Sequence, residues 1–138
     1  MTDVAAPDLT AFLHETMPLT ALLGAEAVAA SPDEVRTRLS WRPDLCTAGG
    51  QLHGGTLMAL ADATGAWCAF LHLPPGATTT TVSSSTHFLR GVRGGLVTAR
   101  ARPLSAGRRI VVVDTELHDA DGRLIGRTTQ TQAVLPPG

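Results

Sequence analysis

Residues 54–73 read GGTLMALADATGAWCAFLHL, and this stretch decides the fold. It is too long and too unbroken for a strand, it opens on two glycines, and Pro74-Pro75-Gly76 closes it, so the spacing predicts one long helix. Leu57, Leu60, Trp67 and Leu71 recur at helical spacing and are expected to face a sheet. Met58, Ala61, Asp62, Gly65 and Ala69 form a second stripe, mostly of small side chains, which lets a neighbouring backbone or ligand come close. A membrane span is a poor reading, because Asp62 sits mid-stretch and the composition is rich in Gly, Ala and Thr.

Outward from the helix, the chain turns to strands. Upstream, the runs 25–30 and 34–41 are separated by Ser31-Pro32-Asp33, a hairpin signal. Downstream, 78–89, 96–104, 109–118 and 124–134 are divided by turns at Gly91 to Gly95, Ser105 to Gly107 and Asp119 to Gly122. Alternation is clearest at Val111, Val113 and Leu117 and weaker in the last strand. Residues 1–17 read as a short helix with Pro7 near its start, Asp8 as a candidate cap, an apolar edge of Leu9, Phe12 and Leu13, and Pro18 as its end. Several strands and one apolar helix are most economically buried by curling an antiparallel sheet around that helix. The expected class is therefore α+β, a single domain over 1–138.

Composition removes several kinds of function. Charged residues make up 17% of the chain and its net charge is -1, so there is no basic face for nucleic acid. All eleven basic residues are arginine, which excludes a phosphate-loop lysine and any Schiff base. There is no G-x-S-x-G elbow. Cys68 with His72, and Cys46 with His53, lack further ligands at a familiar zinc spacing, so no metal is expected. Met1 to Asp8 carry neither the basic stretch nor the apolar run of a secretory signal, and a cytoplasmic chain with Cys46 and Cys68 as reduced thiols is expected.

Asp62 is the candidate for chemistry, against the plainer alternative of a hydrogen-bonded structural acid. The start of the helix supplies a second element. Gln51-Leu52-His53-Gly54-Gly55 leaves free N–H groups at the positive end of the helix dipole, where a carbonyl oxygen gaining charge would be stabilised. His53 is readable as a helix cap or as an acid-base group. Eight residues separate Gly54 from Asp62, about 12 Å along one helix, so both cannot touch one carbon. If both serve one substrate, the acid must come from a second, antiparallel copy of the helix, as a two-fold dimer provides.

The residues His53-Gly54-Gly55, Leu60-Ala61-Asp62, Thr86-His87-Phe88-Leu89-Arg90 and the Asp119 to Gly122 turn together resemble the hotdog-fold acyl-CoA thioesterases, in the branch with the phenylacetate-pathway and hydroxybenzoyl-CoA enzymes. The resemblance spans Pro18 to Val134. It implies a hotdog fold, a sheet curled around one helix, and a homodimer that often pairs into a homotetramer. It also implies that the Gly54 N–H polarises a thioester carbonyl, that Asp62 of the opposing subunit acts as nucleophile or as base for water, that His53 orients the loop, and that a hydroxyl from Thr80 or Thr81 assists. One departure stands out: many relatives carry Asn or Gln six residues before the histidine, where this chain has Thr47, and Gln51 is the available stand-in.

Arg90, Arg93, Arg108 and Arg109 lie beside turns, within reach of coenzyme A phosphates or simply as solvated charges. The expected partner is an acyl-CoA substrate, with no separate cofactor. Two rival readings stay open: a hotdog dehydratase, and an acyl-CoA binding or sensing domain in which Asp62 is structural.

Overall fold

The computed structural model describes residues 4–138. Two short helices come first, α1 (Pro7–Thr16) and α2 (Pro18–Leu23), then the hairpin β1 (Glu26–Ala30) and β2 (Val35–Ser40). A 3-10 turn at Pro43–Leu45 leads into the long helix α3 (Gly54–Phe70), and β3 (Thr78–Phe88), β4 (Leu96–Ala106), β5 (Ile110–His118) and β6 (Leu124–Leu135) complete the chain. All pairings are antiparallel, and the six strands are ordered β1-β2-β4-β5-β6-β3. This is the hotdog arrangement, a curved sheet around one central helix.

Pro18 does not simply end the first helix. It opens α2 at the first helical position, where a missing N–H is harmless, and Gly24 in the left-handed region (φ 74°) terminates that second helix. Asp8 is not the cap either: Ala6 occupies that position without a side-chain bond, and Asp8 sits in the first turn. The first three residues of the anticipated 1–17 helix lie outside the described residues. The long helix ends at Phe70, three residues earlier than its apolar run, with Leu71 as its C-cap.

The core lies between α3 and the sheet. Val35 and Leu39 of β2, Val97, Ala99 and Ala101 of β4, and Val111, Val113 and Leu117 of β5 are buried against the helix. Alanines at 99 and 101 leave room for it, and each buried Leu contributes about 1.5–3 kcal/mol. Leu57, Leu60 and Trp67 are buried as expected, with Trp67 packed on Phe12 of α1 at 5.5 Å between ring centroids.

The small-residue stripe is oriented differently from the expectation. Ala61, Gly65 and Ala69 are buried, and Gly65 lies directly over Gln130 of β6. Their smallness serves packing within the chain. Met58, Asp62 and Phe70 remain exposed and Ala66 half-buried, at four-residue intervals along the bare face of α3.

The sheet's two edges also differ. Along β1, the α1 segment satisfies the outward main chain: Ala6 N–H donates to Ala27 O at 2.8 Å, and Ala27 N–H donates to Thr10 Oγ1 at 2.9 Å. β3, eleven residues rich in Ser and Thr, has no neighbour on its outer side among the described residues. No helix among the described residues is long and apolar enough to cross a membrane.

Candidate active site

His53 caps α3. Its Nδ1 accepts from Gly55 N–H at 2.8 Å, which requires that nitrogen to be unprotonated and puts the imidazole in the capping role. One first-turn amide is thereby engaged. Gly54 N–H has no partner among the described residues, and the Phe88 ring from the end of β3 lies over Gly54, 3.1 Å from where a Cβ would stand. A side chain at 54 would press on that ring, which would have to give by a few tenths of an ångström.

A cavity of about 320 Å³ beside this helix start is lined by Thr47, Gln51, Leu52, Gly54, Leu57, Phe88, Leu89, Arg90 and Gly91. The loop is ordered by its own main chain, Thr47 N–H donating to Gln51 O at 2.8 Å. Gln51 packs on Gly91, where a Cβ would fall 2.5 Å from its Oε1. Arg93 donates to Gly49 O, so it ties two loops together, whereas Arg90 has no polar partner among the described residues. Arg108 and Arg109 are elsewhere, in a cleft of about 450 Å³ with Pro74, Val134, Pro136 and Pro137.

Asp62 is not in the helix-start cavity; two turns of α3 intervene. Its carboxylate projects from the bare face, and burial pushes its pKa above the ordinary carboxylate value, with no charged neighbour contributing. A second concavity of about 290 Å³ continues along the same face, with Ala66, Trp67 and Phe70 of α3, Phe12, Thr16 and Met17 from the N-terminal segment, and Thr78 and Thr79 of β3.

The two candidate threonines separate. Thr81 faces the helix side of the sheet, where Gln132 Nε2 donates to its Oγ1 at 2.8 Å. Thr80, one residue away in an extended strand, pairs with Ala133 and faces the opposite side. Sequence reasoning missed the polar floor beneath α3: Thr128, Gln130 and Gln132 of β6 are all buried there. It also missed Phe88 as the cover of Gly54. Cys46 and Cys68 are both free, and burial pushes the Cys68 thiol up to about 11.

Residues 49–126 match the family model described as the thioesterase superfamily. The chain belongs to the thioesterase superfamily. As such it is a thioester hydrolase. A Mycobacterium tuberculosis protein with a provisional esterase name is 31% identical over 125 residues, covering 88% of this chain and 89% of its own. Among solved structures, a Haemophilus influenzae thioesterase superposes with a TM-score of 0.87 at 28% identity, over 97% of this chain and 92% of that one. A point mutant of a Pseudomonas aeruginosa thioesterase gives 0.86 at 27% identity, over 92% and 94%. Thioesterase superfamily membership fixes the reaction class.

Proposed function

We propose that this thioesterase hydrolyses acyl-coenzyme A at a site completed by two copies of the chain, Gly54 from one and Asp62 from the other. The observation that carries the reading is the separation of the two groups. An unpartnered amide and a solvent-facing carboxylate stand about 12 Å apart on one rigid helix, too far for one thioester carbon.

The open β3 edge supports a second copy. If two β3 strands pair antiparallel about their middle, Thr78 and Thr79 of one come beside Phe88 of the other, and Phe88 lies on its own Gly54. The amide of one copy then approaches the face of the other that carries Asp62, Ala66 and Phe70. Arg90 at one end of the subunit and Arg108 and Arg109 at the other converge on the same mouth, where charge-assisted bonds would hold coenzyme A phosphates. The apolar concavity of Phe12, Met17, Trp67 and Phe70 takes the acyl group. A pair of such dimers would give the homotetramer.

In the reaction, the thioester oxygen accepts from Gly54 N–H. Asp62 attacks the carbonyl carbon, or removes a proton from the water that does; negative charge moves onto the oxygen, and collapse of the tetrahedral species breaks the C–S bond and expels the thiolate. In the base course the proton on Asp62 passes to that thiolate, and in the nucleophilic course water then hydrolyses the acyl-Asp62 anhydride, releasing the acid and restoring the carboxylate. Partial desolvation against the helix surface makes the Asp62 carboxylate a stronger base than a fully solvated aspartate. Thr81 and Gln51 contribute polar atoms near the water's path, and Thr47 occupies the loop position of the family's amide.

Mixing two inactive variants tests the shared site. Asp62→Asn and Gly54→Pro chains, unfolded together and refolded, should recover activity of about a quarter of wild type, because heterodimers contain one intact site out of two and form half of the population. No recovery, with both variants folded, would return the site to a single chain. Acyl-CoA binding by the wild type without thiol release would replace the enzyme reading by a binding role.

A further inference from the structure

One side chain reaches Asp62 from beneath. Gln130 is fully buried on β6, and its Nε2 stands 3.4 Å from Asp62 O and 3.5 Å from Asp62 Oδ1. Both neighbours are acceptors, so the amide nitrogen must face them and Gln130 Oε1 must point away, under Gly65. There Oε1 finds no hydrogen-bond partner, and neither does the adjacent buried Thr115 Oγ1. A buried amide with one end unsatisfied is a poor choice for stability, where an apolar side chain of similar length would pack without that penalty. Gly65 is a matching concession in the helix, since a Cβ there would lie 1.9 Å from Gln130 Oε1. Two locally unfavourable residues thus have one joint result, an N–H donor beneath Asp62.

We infer that Gln130 is a positioning residue, holding Asp62 Oδ1 from below the helix so that Oδ2 is turned toward the reacting carbon or its water. This rests on the reading of Asp62 as the acid of the thioesterase site. Among the described residues Gln130 is the one side chain that bonds Asp62. Donation to the carboxylate favours its ionised form and opposes the effect of burial.

The test uses the full chain with Gln130→Met, which keeps length but removes the donor, and Gln130→Leu, which removes the donor in a shorter side chain; neither brings a new charge to Asp62. The Asp62 carboxyl is titrated by carbon NMR, assigned with Asp62→Asn, and kcat and KM are measured on an acyl-CoA. In whichever variant folds, the Asp62 midpoint should move up and kcat should fall about tenfold or more, while KM changes less than about twofold. A folded variant that melts earlier but leaves the midpoint or kcat where they were would make Gln130 a packing residue and overturn the inference. Should the wild type release no thiol from any acyl-CoA, the proposed function falls by itself, and the NMR midpoint alone decides whether Gln130 governs Asp62.

Discussion

The two faces of α3 are built by opposite rules. Toward the sheet, Leu60, Ala61, Thr64, Gly65 and Cys68 are buried, and even the hydroxyl of Thr64 is paired, at 2.7 Å, with Thr37 of β2. Away from the sheet, Met58, Asp62, Ala66 and Phe70 meet solvent or shallow concavities. The first face tolerates no change of volume and does no chemistry; the second is free to vary without unfolding the chain. Stability and activity should therefore respond to different substitutions only one helical step apart.

The sharpest break of that contrast is Asp62→Asn. Thioester hydrolysis should fall about 10³-fold, in the range of a lost general base, with no loss of melting temperature. Burial favours the protonated acid in the folded state, so at neutral pH the folded protein carries a small penalty that Asn removes, and the melting point should hold or rise. The same sign places the acidic limb of kcat/KM above the ordinary aspartate value, with activity lost as pH drops through it. A limb at the ordinary value, or a variant that unfolds, would show that the bare face is structural.

Gly65→Ala probes the packed face. The alanine gains about 1 kcal/mol of helix propensity, but its Cβ forces Gln130 to move, and overpacking of this kind costs about 1–3 kcal/mol. Because the Cβ would lie 1.9 Å from Gln130 Oε1, the cost falls at the upper end of that range, and a net loss of about 1–2 kcal/mol, seen as a melting point lower by roughly 3–8 °C, is expected. An unchanged melting point would mean that the floor under α3 is loose.

The smallest effect is expected at Ala66, one residue further along but on the other face. Ala66→Leu should leave the melting temperature within about 2 °C and shift kcat/KM against longer acyl groups by several-fold to about tenfold, read across a series of straight-chain acyl-CoAs. A uniform loss for every chain length would separate this concavity from the acyl group.

How much of this could be read in the residues follows the same division. The strands of β4 to β6 and the turns between them were legible because Val111, Val113 and Leu117 alternate and Asp121-Gly122 marks a hairpin. The helix itself was plain from its length and its closing prolines. Its orientation was not, because it is apolar on nearly every side, and a small residue looks the same whether it faces its own sheet or a visitor. Thr80 and Thr81 could not be told apart, since a strand reading TTTTVSSST has Val82 as its one apolar residue, and a single apolar residue, here an exposed one, sets no phase. Gln130 was hidden for the same reason: TTQTQ reads as polar on both faces, although one of them is sealed from water. Pro18 carried two compatible meanings, helix stop and helix start, and only packing chose.

The unequal sheet edges limit how far copies of this chain can accrete. With the α1 segment lying along β1, a strand arriving there finds both main-chain groups of Ala27, at the middle of that edge, already bonded. A neighbour joined through β3 uses up the other border. If a second copy joins there as proposed, strand-by-strand growth would stop at a closed pair, with neither border left to extend the sheet.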